Sequence, residues 1–264
     1  MNILQEIVAR TKERIEFQKK FLPPDKIIEM SRFVAISGFS FENALKSDDI
    51  AFICEVKKAS PSKGIIAADF PYLDIAADYE TAGAAAISVL TEPYYFEGDD
   101  RYLSEIAGKV SIPLLRKDFT IDSYMIYEAK VLGASAVLFI CAILNTDVLK
   151  EYIAIADSLG LSALVETHNE EEVEMALAAG ARIIGVNNRD LKTFKIDMTL
   201  SERLKEMVPD DKLFVSESGI TSPEDITRLR KAGADAVLIG EAIMRSPDKK
   251  SEILRLRGDG HGEG

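Results

Sequence analysis

Five polar side chains each close a short apolar run in this chain: Lys57, Lys117, Glu166, Asn187 and Glu217. Two ammonium groups, two carboxylates and a carboxamide gathered in one place would suit proton transfer on an anionic small molecule, with lysine supplying a proton or a counter-charge and glutamate removing a proton. A single Lys or Glu at such a position is usually no more than a solvated loop residue. The chemical reading therefore depends on all five converging. Around Lys117, Leu114-Leu115-Arg116 precede and Asp118-Phe119 follow. That setting describes an ammonium partly withdrawn from water and held by carboxylates, in which lysine acts as a general acid.

Convergence needs a fold that brings the ends of many strands to one place. The apolar runs Ala51–Lys57, Ala85–Leu90, Ile112–Lys117, Ala136–Ile140, Ser162–Glu166, Ile183–Asn187, Lys212–Glu217 and Ala236–Gly240 make eight strands. Near-continuous apolar runs suit parallel strands covered on both faces. Helical patterns fill the gaps, among them Asp74–Tyr79, Ser123–Ala129 and Glu171–Leu177. Ser222-Pro223-Glu224-Asp225 offers an N-cap followed by proline, and Asn169 with Glu172 has capping-box spacing. Gly83, Gly133, Gly180 and Gly233 recur at intervals of about fifty residues, each ending a helix just before a strand. Each interval holds two strand–helix units. The expected fold class is α/β, a (β/α)8 barrel with an N-terminal helical extension, whose strand ends share one mouth. A doubly wound open sheet is the competitor, but it would normally carry a Gly-rich phosphate turn after its first strand, and no G-x-G-x-x-G is present.

The 264 residues accommodate one such barrel and a small extension. The expected division is an extension over 1–50, a barrel over 51–256 and a disordered Gly-rich tail over 257–264. In the extension, Ile3, Leu4, Ile7, Val8 and Ile15 fall roughly on one helical face that ends before Pro23-Pro24, and a second apolar cluster runs from Phe39 to Leu45. Spacing alone leaves open whether this extension plugs the bottom of the barrel or covers its mouth. A formal charge of −12 disfavours nucleic acid and anionic membrane as partners, though a local basic pocket would still hold a phosphate. The first ten residues lack a signal-peptide pattern, and the longest apolar stretch, Ala134 to Leu144, is far below the ~20 residues that cross a bilayer. A cytoplasmic protein, monomeric or a weak homo-oligomer, is expected. Cys54 and Cys141 belong to strands far apart around a barrel and are expected as buried free thiols. With His168 and His261 as the only histidines, no Cys/His pair has metal-ligand spacing, and no metal is expected.

Phosphate recognition has its own signal after the last two strands. Ser216-Glu217-Ser218-Gly219-Ile220 and Ile239-Gly240-Glu241-Ala242 place glycines where backbone N–H groups approach an anion, the second at a helix start. Ser218, Gly219, Gly240 and Glu241 are the candidate cradle. Because an acidic side chain repels phosphate, Glu241 is expected to turn its carboxylate away and offer only its amide.

Taken together, Glu55–Gly64, Leu115–Phe119, Leu164–His168, Gly185–Leu191 and Ser216–Ile220 resemble the signature segments of the indole-3-glycerol-phosphate synthase family, and the resemblance runs from about residue 1 to residue 250. Thr91–Gly98 is similar to the family's loop after the second strand, with Phe96 in the place of an aromatic that packs on the substrate ring. The resemblance covers one barrel and no fused isomerase domain. It implies a carboxy-lyase of tryptophan biosynthesis acting on 1-(2-carboxyphenylamino)-1-deoxyribulose 5-phosphate, a sugar-phosphate substrate, with no cofactor. The products are indole-3-glycerol phosphate, carbon dioxide and water. It further implies Lys117 as general acid and Glu166 as general base. Lys57, supported by Glu55, would hold substrate anions and stand ready as a second acid, and Asn187 and Glu217 would orient sugar hydroxyls and the lysines. Ser60, Phe96, Phe119 and Arg189 become substrate contacts, against the plainer reading of Arg189 and Ser60 as loop salt bridge and turn bond. Which lysine acts at which step is left open. So are two rivals, another sugar-phosphate barrel enzyme and a catalytically silent phosphate binder on the same fold; the presence of a buried carboxylate beside two lysines speaks against the silent binder.

Overall fold

A computed structural model describes residues 3–35 and 38–258. Eight parallel strands close on themselves: β1 (Ala51–Val56), β2 (Ala86–Leu90), β3 (Leu114–Lys117), β4 (Ala136–Ile140), β5 (Ser162–Thr167), β6 (Ile183–Asn187), β7 (Leu213–Glu217) and β8 (Ala236–Ile239). Each pairs with its sequence neighbour, and β1 pairs with β8 through Ala51↔Ala236 to Cys54↔Ile239. All eight expected strands are present, with ends displaced by no more than a residue or two. Lys57 stands just beyond β1.

Ahead of the barrel lie α1 (Ile3–Phe21), α2 (Pro24–Ser31) and α3 (Ser40–Leu45). After successive strands come α4 (Tyr72–Thr81), α5 (Asp100–Ala107), α6 (Ser123–Val131), α7 (Thr146–Ser158), α8 (Glu170–Ala178), α9 (Thr199–Lys205), α10 (Pro223–Lys231) and finally the pair α11 (Glu241–Arg245) and α12 (Lys249–Arg257). The four repeat glycines all have positive φ, between 79° and 89°, so each helix turns into the next strand through a left-handed residue. Ser222 caps α10 in a full capping box with Asp225. At α8 the box is modified: Asn169 accepts from the Glu172 N–H at 2.9 Å, but the Glu172 carboxylate reaches back to the N–H of His168 rather than that of Asn169.

Two apolar layers follow from strand alternation. Ala51, Ile53, Ala86, Leu115, Ala136, Leu138, Leu164, Ile183, Val215 and Leu238 fill the barrel interior, while Phe52, Cys54, Ile87, Val137, Val165, Ile184, Phe214 and Val237 pack outward against the helices. Cys54 and Cys141 are both buried and free.

The extension does two jobs at opposite ends. Phe41 and Leu45 of α3, both fully buried, join the interior cluster from below; the Glu42 N–H donates to Ser162 Oγ at the start of β5, and Glu42 pairs with Arg182 at 2.8 Å. Burying two such side chains is worth about 1.5–3 kcal/mol each. This is the plug. Helix α1 instead crosses the mouth: Arg14 binds Asp118 at 2.7 Å, Lys19 binds Asp122 at 2.7 Å, and Ile3, Leu4 and Ile7 line the cavity over the strand ends. Pro23-Pro24, which reads as a stop, also opens α2, because proline at the first helical position lacks only an N–H that would be unpaired anyway. At the other end α12 runs through Arg257, the first residue of the expected tail, and Gly258 ends it with φ 93°. Residues 259–264, including His261, lie outside the described residues. No helix among the described residues is long and apolar enough to cross a membrane.

Candidate active site

The interior face of each strand continues upward in steps of two. Beyond Ala51 and Ile53 come Glu55 and Lys57; beyond Leu115, Lys117; beyond Leu164, Glu166; beyond Ile183, Gly185 and Asn187; beyond Val215, Glu217; beyond Leu238, Gly240. On these six strands the uppermost inward residues are polar or glycine, while β2 and β4 end inward on the apolar Leu90 and Ile140, which line the same cavity. Every residue singled out as a candidate from the sequence lines the same cavity, from Glu55, Lys57 and Ser60 through Phe96, Lys117, Phe119, Glu166, Asn187, Arg189, Glu217, Ser218 and Gly219 to Gly240 and Glu241.

Lys117 is its centre. Its Nζ donates to Glu166 Oε2 at 2.7 Å and to Glu217 Oε2 at 2.9 Å, joining three strands through one ammonium. Burial works against the charged lysine, but Glu166, Glu217 and Glu55 outweigh it and hold the group above its ordinary value. Burial likewise penalises the Glu166 carboxylate. Lys117 and His168 more than offset that, and Glu166 stays ionised well below the usual range. Glu217 responds in the opposite sense: burial and the nearby Glu166 charge push it up to about 7, against the pull of Lys117. Its second oxygen, Oε1, is buried without a hydrogen-bond partner. The space it fills exists because residue 185 is glycine; a Cβ there would lie 2.4 Å from that oxygen.

Lys57 forms an ion pair with Glu55 on the next part of the wall. The short hairpin Ala59–Ser60 with Gly64–Ile65 follows and puts Ser60 on the cavity lining. The Phe96 and Phe119 rings stand 6.0 Å apart at 40°, an apolar pair suited to a planar aromatic ligand. Phe96 is placed by Glu92, fully buried, whose carboxylate accepts the N–H groups of Tyr94, Tyr95 and Phe96 at 2.7–3.1 Å. Asn187 accepts the Arg189 N–H at 3.1 Å and so fixes the root of the Arg189 loop.

On the candidate phosphate wall, Ser218 and Gly219 are successive left-handed residues, φ 68° and 86°. The strained serine is held by Asn188, whose Nδ2 donates to the Ser218 carbonyl and to Ser216 Oγ, both at 3.1 Å, while its Oδ1 accepts from the N–H and Oγ of Ser201. Glu241 departs from expectation. Its carboxylate does not simply turn away, because it lies among Arg245 at 3.1 Å, Lys63 at 3.6 Å and Arg189 at 3.8 Å. Burial opposes its charge, but these three cations hold the acid below its usual range. Three cations around one carboxylate leave the wall net positive, so the acid is compatible with an anion nearby.

The glycines of this wall give a measurable expectation, though for a different steric reason at each. A Cβ on Gly240 would lie 2.4 Å from Glu55 Oε2 and 2.8 Å from Lys57 Nζ; on Gly219 it would meet Met198 Sδ at 2.5 Å and Ile196 Cγ2 at 2.6 Å. Valine at 240 therefore splits the Glu55–Lys57 pair, and valine at 219 collides with Met198 and Ile196 and displaces the loop. Either change should weaken inorganic phosphate, as a competitive inhibitor, and substrate together by about tenfold or more, the equivalent of one charge-assisted hydrogen bond. Unchanged phosphate inhibition in both variants would remove these loops from the anion site.

The sequence reading missed Lys63, Arg245, Asn188 and His168. Lys63, Asn188 and His168 stand inside the quoted motifs, so position was available but not role. Arg245 carried no signal beyond a basic residue in a short helix.

A closed eight-stranded β/α barrel with Lys117, Glu166 and Glu217 clustered at the C-terminal mouth defines the class, a (β/α)8 enzyme with its candidate site built from strand ends. Within that class the chain belongs to the indole-3-glycerol phosphate synthase family, whose sequence profile matches residues 4–256. Among its relatives, an indole-3-glycerol phosphate synthase of Ruminiclostridium cellulolyticum is 60% identical over 257 residues, covering 97% of this chain and 99% of the relative. Another, of Endomicrobium trichonymphae, is 54% identical over 261 residues, covering 97% and 99%. Solved structures agree in fold alone: a mutant tryptophan synthase alpha-subunit from Pyrococcus furiosus has a TM-score of 0.61 at 16% identity, covering 80% of this chain and 98% of that one. An N-acetylmannosamine-6-phosphate 2-epimerase from Clostridium perfringens has a TM-score of 0.58 at 18% identity, covering 74% and 88%.

Proposed function

We propose that the chain closes the indole ring of 1-(2-carboxyphenylamino)-1-deoxyribulose 5-phosphate with loss of carbon dioxide and water, giving indole-3-glycerol phosphate. One observation carries the reading: the Lys117 ammonium is held between Glu166 and Glu217 at the bottom of a cavity that also offers an aromatic pair and a cationic wall. The anthranilate ring packs against the Phe96–Phe119 pair, with its carboxylate toward Lys57 or Arg189. The phosphate takes the amides of Ser218, Gly219, Gly240 and Glu241. Helix α11 has only five residues, so the amides themselves, more than a helix dipole, hold the anion.

Lys117 donates its proton to the ribulose carbonyl oxygen as the ring carbon bearing the carboxylate attacks that carbonyl carbon. A C–C bond forms and a hydroxyl results. Carbon dioxide then leaves, and the electron pair of the broken bond restores the aromatic ring. In the last step a lysine protonates the departing hydroxyl and Glu166 removes the proton whose loss completes the indole, releasing water. Proton transfers suffice throughout, because no step is an oxidation or a reduction. Glu217 and Asn187 orient the sugar hydroxyls.

Incubation of the purified protein with this substrate should produce indole fluorescence with saturation kinetics. The chain contains no Trp, so the background is low. Isomerisation of another sugar phosphate without indole formation would favour a different barrel enzyme, and binding without turnover would favour a silent binder.

A further inference from the structure

His168 and Glu172 are buried or half-buried titratable groups with no part in the steps above. His168 follows β5 two residues after Glu166, and its side chain is 12% exposed. Its Nε2 lies 3.3 Å from Glu166 Oε1, in an approach off the line of a hydrogen bond, so this contact is charge pairing. The other oxygen of Glu166, Oε2, is the one bound to Lys117. On its far side His168 places Nδ1 3.1 Å from Glu172 Oε2, and its own N–H donates to that same oxygen at 2.9 Å. Glu172 is fixed in turn by Asn169: its N–H donates to Asn169 Oδ1 at 2.9 Å, and its Oε1 accepts from Asn169 Nδ2 at 3.3 Å. The imidazole is thus gripped from α8 and presented to the carboxylate on β5.

We infer that His168, clamped by Glu172, is the positioning residue for the base Glu166, pairing with Oε1 so that Oε2 faces Lys117 and the substrate. The inference rests on the reaction proposed above. Each oxygen of Glu166 then has its own cation, which holds the carboxylate against rotation. Burial favours neutral imidazole, but Glu166 and Glu172 override it and push His168 up to about 10, so the ring is a cation across the neutral range. Other groups facing this corner are the buried Cys141 thiol after β4, itself pushed up to about 12 by burial, and Asp190 and Lys192 of the loop after β6. A catalytic sequence follows. With Lys117 charged, Glu166 is a weak base held by two cations; once Lys117 has given its proton to the substrate, His168 alone remains, and Glu166 gains basicity at the stage when a base is needed, while keeping its orientation.

The test is the pH profile of kcat and KM for His168→Gln and Glu172→Gln beside wild type. Loss of the imidazolium removes one of the two charges that hold Glu166 ionised, so the acid limb of kcat should move to higher pH. At neutral pH kcat should fall on the order of tenfold with KM little changed, as for an interaction used in the transition state. Glu172→Gln should move the limb in the same direction by less, because His168 stays in place with a weaker hold, and it carries the test alone if His168→Gln does not fold. A His168→Gln enzyme with the wild-type acid limb, or a loss confined to KM, would overturn the inference. Failure of wild type to form indole would instead overturn the proposed reaction, so the two failures are distinguishable.

Discussion

Lys117→Ala should lower kcat by about 100-fold or more while the barrel still folds, the loss expected for removing a general acid. The ammonium bonds both Glu166 and Glu217, at 2.7 and 2.9 Å, so its removal strips the acid and leaves two buried carboxylates facing each other. A buried charge without its partner is ordinarily costly. Here Glu217 offers relief, because burial and the Glu166 charge already push it up to about 7, toward the protonated form. The sign of the stability change follows. An acid whose folded value is raised contributes stability that is full below its unfolded value and is lost as pH rises through the folded one. In the variant that folded value rises further, so the deficit in Tm against wild type should be small near pH 5 and grow toward pH 8. Thermal denaturation across that range checks it. Near-normal kcat in Lys117→Ala would remove Lys117 from the chemistry.

Glu166→Gln tests the base. The amide keeps the shape and one acceptor for Lys117, so substrate should bind with nearly unchanged KM while kcat falls by about 100-fold, within the range of general-base losses. Lys117 loses one of the three carboxylates that hold it above its ordinary value, so the basic limb of the remaining kcat profile should move to lower pH. A variant with raised KM and unchanged kcat would make Glu166 a binding residue.

Much of this architecture was legible because barrel strands announce themselves as apolar runs and stop at polar residues. Lys117, Glu166, Asn187 and Glu217 each mark the point where the inward-facing filling ends, and one rule of alternation carries all four into the same cavity. The left-handed glycines at 83, 133, 180 and 233 were equally readable, since few other residues accept that conformation. What escaped were relations between groups distant in sequence. Nothing local to Arg14 says that it will meet Asp118, and nothing local to Phe41 says that it will enter the barrel from below. The ambiguity between lid and plug had no answer in either form, because α1 and α3 go to opposite ends. His168 was visible as a residue, but its grip on Glu166 depends on α8 folding back to place Glu172 against it. The Glu241 carboxylate was judged from its charge alone; three cations from separate loops decide its setting.

Ring closure and decarboxylation should occur together at the mouth around Lys117. Substrate labelled with carbon-13 at the anthranilate carboxylate would follow both in one reaction. Wild type should release labelled carbon dioxide in a one-to-one ratio with indole-3-glycerol phosphate, and Lys117→Ala should lose both in parallel. Labelled carbon dioxide without indole, indole formed with the label retained, or no reaction of wild type at all would show that Lys117 does not couple the two steps at this mouth.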